Sequence, residues 1–581
     1  MNSKMRYLLT VLLIVLVPGA LLAQESESET TTRTESEVEI GVWDTSVDGS
    51  PDLVLEYEPD GTGPIIKADI ISVMEKGSVD YEGEILTSNN MTNDLGFDFN
   101  RVFRSSNLLN IMLHRLGHEP LDHFQAVTNH GRVTWETDNN PDSEYEIDYQ
   151  LFETWNEIQP RGMSNLTFGF GYRDQRRDGL RQQTAVSHCD ACHVESMDRP
   201  MNEKTTDIGA DLTWAGEWGY VRAGYKTRDY SDSPTSIPYT YDDALHPELR
   251  TPLFDNRVQY DLQSGPQEID FRPDTTKDTF GVDGLWASRT GWNLAAEGIW
   301  SETKSDYEDI TSDYNGYLLS LNKRFGEERR WGFRWRGRAY DVSVSDFFVD
   351  TIEQVGIAGP QAGKTYREIY DFDPDFNRQS SRNRDVIDSK ADVSYRFNRT
   401  LGTLRFLWDY ESVDREHFQV APGTTKTTSN ELGVSWSARP AKGWKTNVLL
   451  KFGDASDPFN GVNTQYSILE SSPAGSPFAP EAAQYFEFHD ARVAEGTASP
   501  ESWTRFQARG TYTGNTASVT ANYRYWDGDN TSGDLTDWSR MNQAASVTLW
   551  SSPAPRWQWY AGYTWNDSTL DTVATVPLFD G

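Results

Sequence analysis

The sequence is poor in cysteine, in long apolar runs and in positive charge, and each shortage excludes a class of protein. Two cysteines in 581 residues cannot build a disulfide scaffold. After residue 23 no stretch approaches the roughly 18 to 20 consecutive apolar residues of a membrane-spanning helix. The 89 Asp and Glu outnumber the 53 Lys and Arg, for a net charge of -36. Nucleic acid is excluded as a partner, because its phosphates would be repelled.

Aromatic residues are abundant instead. They make up 13% of the chain, although only 37% of its residues are hydrophobic and the mean hydropathy is -0.66. An acidic disordered chain would contain few aromatic residues, and a helical membrane protein would be far more apolar. The length suffices for about three or four ordinary domains or for one very large barrel.

The N-terminus has the pattern of an export signal. Residues 1–23 combine a basic start, an apolar stretch over 8–17 and small residues, which predicts a signal peptide cleaved after Ala23. A transmembrane anchor is the alternative, but the apolar stretch is short for one. Residues 24–37 form an acidic, Ser/Thr-rich tail that we expect to be disordered, and 38–581 form the folded, exported part.

From about Val38 onward the apolar residues recur with a period of two. In 331–340, for example, aromatic and small residues alternate with Arg334, Arg336 and Arg338. These arginines either attract anions such as haem propionates or balance acidic neighbours. Each run has about nine to eleven residues, the length of a tilted strand that crosses a bilayer. Comparable runs occupy 387–397, 444–452, 517–525 and 557–565.

Short and long connections alternate between these runs. The short ones cover 288–291, 398–401, 439–443, 513–516 and 552–556. The long ones cover 341–385, 411–429, 453–503 and 527–542. Short periplasmic turns and long extracellular loops are typical of outer-membrane barrels. The prediction is an all-β fold: a large transmembrane antiparallel β-barrel of about 20 or more strands, with long extracellular loops and a short N-terminal helix or plug segment.

Other features limit this prediction. A soluble secreted sandwich or propeller also alternates and is the competing fold. A strand over 257–263 would put the later turns on the wrong side, so this stretch either lies in one long loop over 227–278 or signals a missed strand. The sequence stops at Gly581 without a terminal aromatic strand, and we expect that it continues further in the natural protein.

Both cysteines lie in one motif, His188-Cys189-Asp190-Ala191-Cys192-His193, within a loop insertion over 173–205. Two thiols separated by two residues bind both vinyl groups of one haem c, and the next residue, His193, supplies an axial ligand to the iron. A disulfide, a thiol redox pair and half of a zinc site are the alternatives.

A second axial ligand must come from elsewhere in the chain. The segment 107–121 breaks the alternation, and we expect a short amphipathic helix there, within a His-rich helical segment over 97–130. His114 and His118, four residues apart, would share one face of that helix and are the predicted distal ligands. His123, His130, His188 and Met197 are further candidates. The alternative is a packed plug helix whose histidines only form hydrogen bonds.

The chain resembles the MtrB/PioB family of decahaem-associated outer-membrane proteins. The resemblance rests on the signal peptide, the aromatic-rich barrel pattern, the His-Arg-Leu-Gly-His-Glu-Pro-Leu segment at 114–121 and the Asp-Asn-Arg stretch at 255–257. Some members carry an N-terminal Cys-x-x-Cys, whereas the only pair in this chain is Cys189 and Cys192.

The resemblance implies a sheath embedded in outer-membrane lipid. It would surround multihaem c-type cytochromes that connect the periplasm with the cell surface, and a haem c of its own would add a relay. The alternative is a diffusion porin or solute-uptake channel without a redox role. No nucleophile constellation or phosphate loop is present in the sequence, so we do not expect an enzyme.

Overall fold

The computed structural model describes the chain in segments. They cover residues 33–47, 55–57, 61–122, 135–188, 192–241, 265–307, 309–345, 347–349, 355, 359–365, 368, 376–378, 382–415, 426–456, 458, 500–531 and 538–572. Within them, no helix is long and apolar enough to cross a membrane.

One 22-stranded sheet dominates these residues. Its long strands are β1 (Arg33–Thr45), β2 (Gly61–Met74), β3 (Gly77–Thr87), β4 (Asn90–Phe99), β5 (Phe103–Arg115), β7 (Glu146–Ile158), β8 (Leu166–His188), β9 (Cys192–Gly216), β10 (Gly219–Ser231), β13 (Thr275–Ala287), β14 (Trp292–Ser305), β15 (Thr311–Phe325), β16 (Trp331–Val344), β19 (Arg384–Arg396), β20 (Thr403–Arg415), β21 (Lys426–Ala438), β22 (Trp444–Ser456), β23 (Ser502–Thr513), β24 (Ala517–Asn530), β25 (Trp538–Ala554) and β26 (Trp557–Asp571).

The remaining elements are short. The strands are β6 (Trp135–Asp138), β11 (Ile237–Tyr241), β12 (Gly265–Ile269), β17 (Phe347–Val349) and β18 (Phe376–Arg378), and two 3-10 turns cover Glu327–Arg329 and Gly359–Gln361. β11 pairs with β12 and β17 with β18, as separate hairpins. β6 joins the main sheet by pairing parallel to β9.

The long strands form an antiparallel meander in chain order, so the predicted all-β fold with one large antiparallel sheet is confirmed. Because each of the 21 long strands is antiparallel to its neighbours, the first and last, β1 and β26, run in the same direction. Within the described part of the chain, each of these two strands pairs with one neighbour, β1 with β2 and β26 with β25.

One edge of the sheet has only short connections, and every long connection lies at the other edge, together with the short ones between β3 and β4 and between β14 and β15. At one edge every connection is short, from the two residues between β9 and β10 to the seven between β7 and β8. The predicted turns at 288–291, 398–401, 439–443 and 513–516 all lie there. The opposite edge carries the long connections, and the strands extend several residues into the segments predicted as loops: β16 continues to Val344 and β24 to Asn530.

Glycine closes some of the short turns. Gly402 has a φ of +74°, and a Cβ there would lie 2.0 Å from the backbone oxygen of Ser437 on the neighbouring strand. Gly443 has a φ of +82° and would bring its Cβ within 2.5 Å of the Thr513 oxygen. A side chain at either position would therefore combine backbone strain with a steric clash.

The two faces of the sheet differ in chemistry. Directly paired residues of neighbouring strands share a face, so each face can be followed across the sheet through the strand register. One face, here called the apolar face, carries large side chains that are open to the surroundings, such as Phe170, Leu319 and Leu432, which is 61% exposed. The other, here called the charged face, includes Arg334, Arg336 and Arg338 and their partners on β15 and β19.

The predicted helix over 107–121 is wrong. Phe103–Arg115 form strand β5, which pairs with β4 and β7, and the part of 97–130 that the structure describes contains no helix. The apolar residues that suggest a helical face fall on both sides of the strand: Leu109 is buried on one side, whereas Leu108 lies level with Asp94 and Glu153 on the other. Tertiary pairing overrode a short periodic signal.

Candidate functional site

The Cys-x-x-Cys-His motif lies at the tip of an unusually long hairpin. β8 has 23 residues and β9 has 25. The last pair between β7 and β8 is Ile147 with Gly179, whereas β8 and β9 stay paired as far as His188 with Cys192. At about 3.3 Å per residue, the hairpin extends roughly 30 Å beyond β7, at the edge that carries the long connections.

The donor set of the motif fits haem c, with two thiols separated by two residues and a histidine directly after them. The backbone of Cys192 and His193 belongs to β9, and His193 pairs with Trp135 of β6. Cys189 lies outside the described residues.

One flank of the hairpin is a hydrogen-bonded group around Asp138. Asp138 Oδ1 accepts a bond of 2.8 Å from the Ser196 hydroxyl, and its Oδ2 lies 2.6 Å from Nε2 of His118. Nδ1 of His118 lies 3.0 Å from the backbone oxygen of Ser143. Burial acts to raise the pKa of Asp138, but hydrogen bonds from Ser196, the Asn140 backbone and His118 outweigh it and lower the pKa.

Tyr145 continues this flank. Its hydroxyl donates a 3.1 Å hydrogen bond to Asp198, which also accepts a 3.0 Å bond from Ser143. Its ring packs against His118 with 4.8 Å between the ring centroids. Burial, followed by the neighbouring Asp198 carboxylate, raises the pKa of Tyr145 to about 12. The phenol therefore stays protonated and acts as a hydrogen-bond donor at physiological pH.

At the base of the extension, β9 is held by a buried ion network. The Arg199 and Asp232 side chains are both fully buried, and Nη2 of Arg199 lies 3.0 Å from Oδ2 of Asp232. Nε of Arg199 donates a 2.9 Å bond to Asp270, which also lies 2.6 Å from Arg181 of β8. Burial would raise the pKa of Asp270, but hydrogen bonds from Arg199 and Arg181 lower it.

This network links distant parts of the chain, because Asp232 and Asp270 lie in the connection between β10 and β13. Arg272, from the same connection, pairs with Glu203 of β9. A second contact from this connection reaches the hairpin nearer its tip, where the Tyr239 hydroxyl donates a 2.7 Å bond to Glu195. Sequence reasoning missed the whole network, since its members are separated by tens of residues and form no local motif.

His114 and His118, the two predicted distal ligands, lie at different distances from the motif. Pairing across β7 and β8 sets His114 level with Gly179, nine positions or roughly 30 Å along the hairpin from His188. Its Nε2 lies 2.9 Å from Glu56, and its ring stacks on Tyr57. The structure therefore does not bring His114 to the motif.

His118 is closer to the motif. It bonds to Asp138, which pairs with Ser196, three strand positions or about 10 Å from His193. Both of its ring nitrogens are engaged, so binding to iron would require one of them to leave its present partner. Met197 pairs with Gln183 on the same hairpin. His123 and His130 lie outside the described residues. Among the residues that the structure does describe, no cluster of three or more His, Cys, Asp or Glu could hold a metal ion.

Two of the three arginines of β16 have one of the two predicted roles. Arg334 binds Asp392 through Nε at 2.7 Å and Nη2 at 3.2 Å, and Arg338 lies 3.6 Å from Asp388. These two balance acidic neighbours, as one of the alternatives predicted. In the described part of the chain, no carboxylate lies within ion-pair distance of Arg336.

Comparisons with known proteins find likeness of structure alone. No protein-family model matches the chain, and no curated protein matches it. A mutant of the ferric enterobactin receptor from Pseudomonas aeruginosa is 6% identical to this chain, with a TM-score of 0.43. The match covers 91% of this chain and 73% of the receptor chain.

Two other solved structures are comparably distant. The ferric-catecholate import receptor Fiu from E. coli K12 is 10% identical, with 93% and 81% coverage and a TM-score of 0.39. The iron transporter FrpB from Neisseria meningitidis is 8% identical, with 91% and 77% coverage and a TM-score of 0.39. The resemblance to the MtrB/PioB family stays a prediction.

Proposed function

We propose that this chain is an outer-membrane β-barrel that surrounds a multihaem c-type cytochrome and carries a haem c of its own at the tip of the β8–β9 hairpin. Its function would be electron transfer across the outer membrane. The proposal combines the two-faced sheet, the long hairpin and the family resemblance.

The observation that carries the membrane part is the chemistry of the apolar face. Leu432, Phe406 and Phe170 are each at least half exposed, and similar side chains recur on strand after strand. Water would penalise so much exposed apolar surface by about 25 cal/mol per Å², whereas lipid would not. An antiparallel sheet in lipid must close on itself, because free strand edges leave backbone groups without partners.

The size of the sheet supports a wide interior. The interior of an eight-stranded barrel is about filled by its own side chains, and the diameter grows roughly in proportion to the number of strands. A barrel of the 21 long strands would leave a hydrated space lined by the charged face. That space could admit a folded polypeptide with its cofactors.

The hairpin supports the relay. Cys189 and Cys192 would hold haem c through thioethers, His193 would be one axial ligand, and His118 is the nearer candidate for the other. A bound haem supplies a centre for one-electron transfer. The role of the surrounding chain would be positional, because the network of Arg199, Asp232 and Asp270 fixes the base of the hairpin that carries the motif.

Haem staining of the boiled, denatured protein after expression with the cytochrome c maturation machinery tests the relay. Thioether-bound haem survives boiling, so we expect a stained band at 66.0 kDa or slightly below. The variant Cys189→Ser/Cys192→Ser is the matched control and should give no stain. A stain-negative wild type whose two thiols are recovered as a disulfide would contradict the haem assignment.

Co-purification tests the sheath. The full chain, solubilised in mild detergent from cells that also produce multihaem cytochromes, should retain a cytochrome that is absent from a purification of an unrelated outer-membrane porin. The second candidate function, a solute channel, is favoured by the charged face itself, which suits a hydrated pore. Rapid swelling of vesicles in small sugars, without any retained cytochrome, would support the channel and contradict the sheath.

A further inference from the structure

Two parts of the charged face carry opposite unpaired charge. On β1 to β4, here called the acidic region, Glu37, Glu39, Glu82, Glu84 and Asp94 line one open cavity of about 610 Å³ together with Lys67. Lys67 lies 3.0 Å from Glu84. Among the described residues it is the only cation within ion-pair distance of these carboxylates, so most of their charge is not compensated.

On β16 and β19 to β24, here called the basic region, the balance is reversed. Most of the carboxylates there are already paired: Asp392 with Arg334, and both Asp409 and Glu431 with Lys451, at 2.5 and 2.6 Å. Several arginines of the same face belong to none of these ion pairs. For Arg336, Arg509 and Arg524, no carboxylate lies within ion-pair distance in the part of the chain that the structure describes.

On β8 to β10, between these regions, cations and carboxylates of the charged face are paired with one another. Lys226 and Arg228 lie within ion-pair distance of Asp207. The other pairs are Arg173 with Glu153, Arg177 with Glu203 and Arg222 with Asp283. The uncompensated charge is therefore concentrated in two separate groups of strands rather than spread evenly over the face. Low-dielectric walls of opposite charge create a directed field in the water between them.

We infer that the charged face receives a polypeptide with one acidic flank and one basic flank, and that it fixes the rotation of this partner. The acidic flank would lie against the basic region and the basic flank against the acidic region. Opposite potentials across an interface select orientation and suppress wrong pairings. This inference rests on the proposed sheath function, because a channel for small solutes would need no particular partner surface.

The test uses two synthetic peptides, hexaglutamate and hexalysine, each with a benzophenone photoprobe, and the full chain folded in lipid vesicles. Cross-linked positions are mapped by mass spectrometry. Hexaglutamate should label peptides of the basic region about tenfold more than those of the acidic region, and hexalysine should show the reverse. Both preferences should disappear at 1 M salt, where the Debye length is about 3 Å.

A charge-reversal variant and a matched control sharpen the result. Arg336→Glu/Arg509→Glu/Arg524→Glu should abolish the hexaglutamate preference. Arg289→Glu/Arg399→Glu/Lys442→Glu changes the total charge equally but alters exposed short turns, and should retain the preference. If the first variant does not fold, the salt dependence of the unmodified chain still decides.

Equal labelling of both regions by both peptides, or labelling confined to the long connections, would overturn the inference. Segregated labelling in a protein that retains no cytochrome would contradict the proposed sheath but leave the charge division in place. A retained cytochrome without segregated labelling would support the proposed sheath and contradict the inferred role of the charge division.

Discussion

The wall strands β13 to β16 and the β8–β9 hairpin are made of the same kind of strand but are stabilised in different ways. The wall is a continuous ladder in which every strand has two neighbours and one face suited to lipid. Beyond Gly179 the hairpin loses its β7 neighbour, and a few buried charged groups from distant connections replace it. Stability is therefore distributed in the wall and concentrated in the hairpin.

The substitution Arg199→Met is expected to have the largest effect on the difference in stability between the hairpin and the wall. The change leaves the fully buried Asp232 without its closest cation, and breaking such a pair costs about 3–5 kcal/mol. We expect faster hydrogen exchange in 180–203 but unchanged exchange in 275–344.

Arg289→Met, which alters a side chain that is 98% exposed, is the control for this experiment. The double change Arg199→Met/Asp232→Leu should be less damaging than Arg199→Met alone, because it removes the unpaired charge as well. Uniform loss of protection over the whole chain would mean that the hairpin is not a separate unit.

The wall is tested by two adjacent leucines in the middle of β15. Leu319 belongs to the apolar face, and Leu318 belongs to the charged face, level with Glu297 and Arg338. Leu319→Arg should lower the free energy of unfolding from lipid vesicles by about 2–4 kcal/mol. Leu318→Arg, its matched control, should cost much less, since water and Glu297 are available to the guanidinium. Equal costs in urea titrations would refute the assignment of the faces.

Acid should weaken the hairpin before the wall. The pKa of Asp270 is lowered from the ordinary 3.8, so its contribution is complete above that value and is lost as the pH falls through the lower, folded-state pKa. Pepsin, which is active in acid, should therefore begin to cut within 180–203 below pH 3.8.

Asp270→Asn should make this cleavage less dependent on pH, because it removes the titrating group. If Asp270→Asn instead left the pH profile of cleavage unchanged, the buried network would not be the origin of the acid sensitivity.

The smallest effect is expected for His114. It lies roughly 30 Å along the hairpin from the motif, so His114→Ala should leave the visible spectrum of any attached haem unchanged. His118→Ala is the comparison, because His118 is the nearer candidate. A change from low-spin to high-spin haem on loss of His114 would show that the hairpin folds back in the loaded protein.

The same contrast explains how far the sequence could be interpreted. The wall could be predicted from the sequence because alternation is a local signal, and the runs at 331–340, 444–452 and 517–525 all lie within strands. The short turns between such runs follow from their length and their Gly residues. Strand ends were predicted too early, since β16 and β24 continue as polar strands beyond their apolar residues.

The hairpin could not be predicted from the sequence in the same way. The motif at its tip is a local pattern, but β8 and β9 are too polar beyond Gly179 to show which of their residues are paired. The groups that hold the hairpin, Arg199, Asp232 and Asp270, meet only in three dimensions. The helix expected over 107–121 failed for a related reason, because pairing with β4 and β7 decided the conformation of a short apolar stretch.

The central claim is that the sheet has one face in lipid and one in water, and spin labels along β15 test it most directly. Single cysteines at 314–322, in a Cys189→Ser/Cys192→Ser background reconstituted in lipid, would be labelled with nitroxide and probed with oxygen and a water-soluble nickel chelate. We predict a strict two-residue alternation, with 317, 319 and 321 accessible to oxygen and 318, 320 and 322 to nickel. Accessibility to nickel at every position would contradict it.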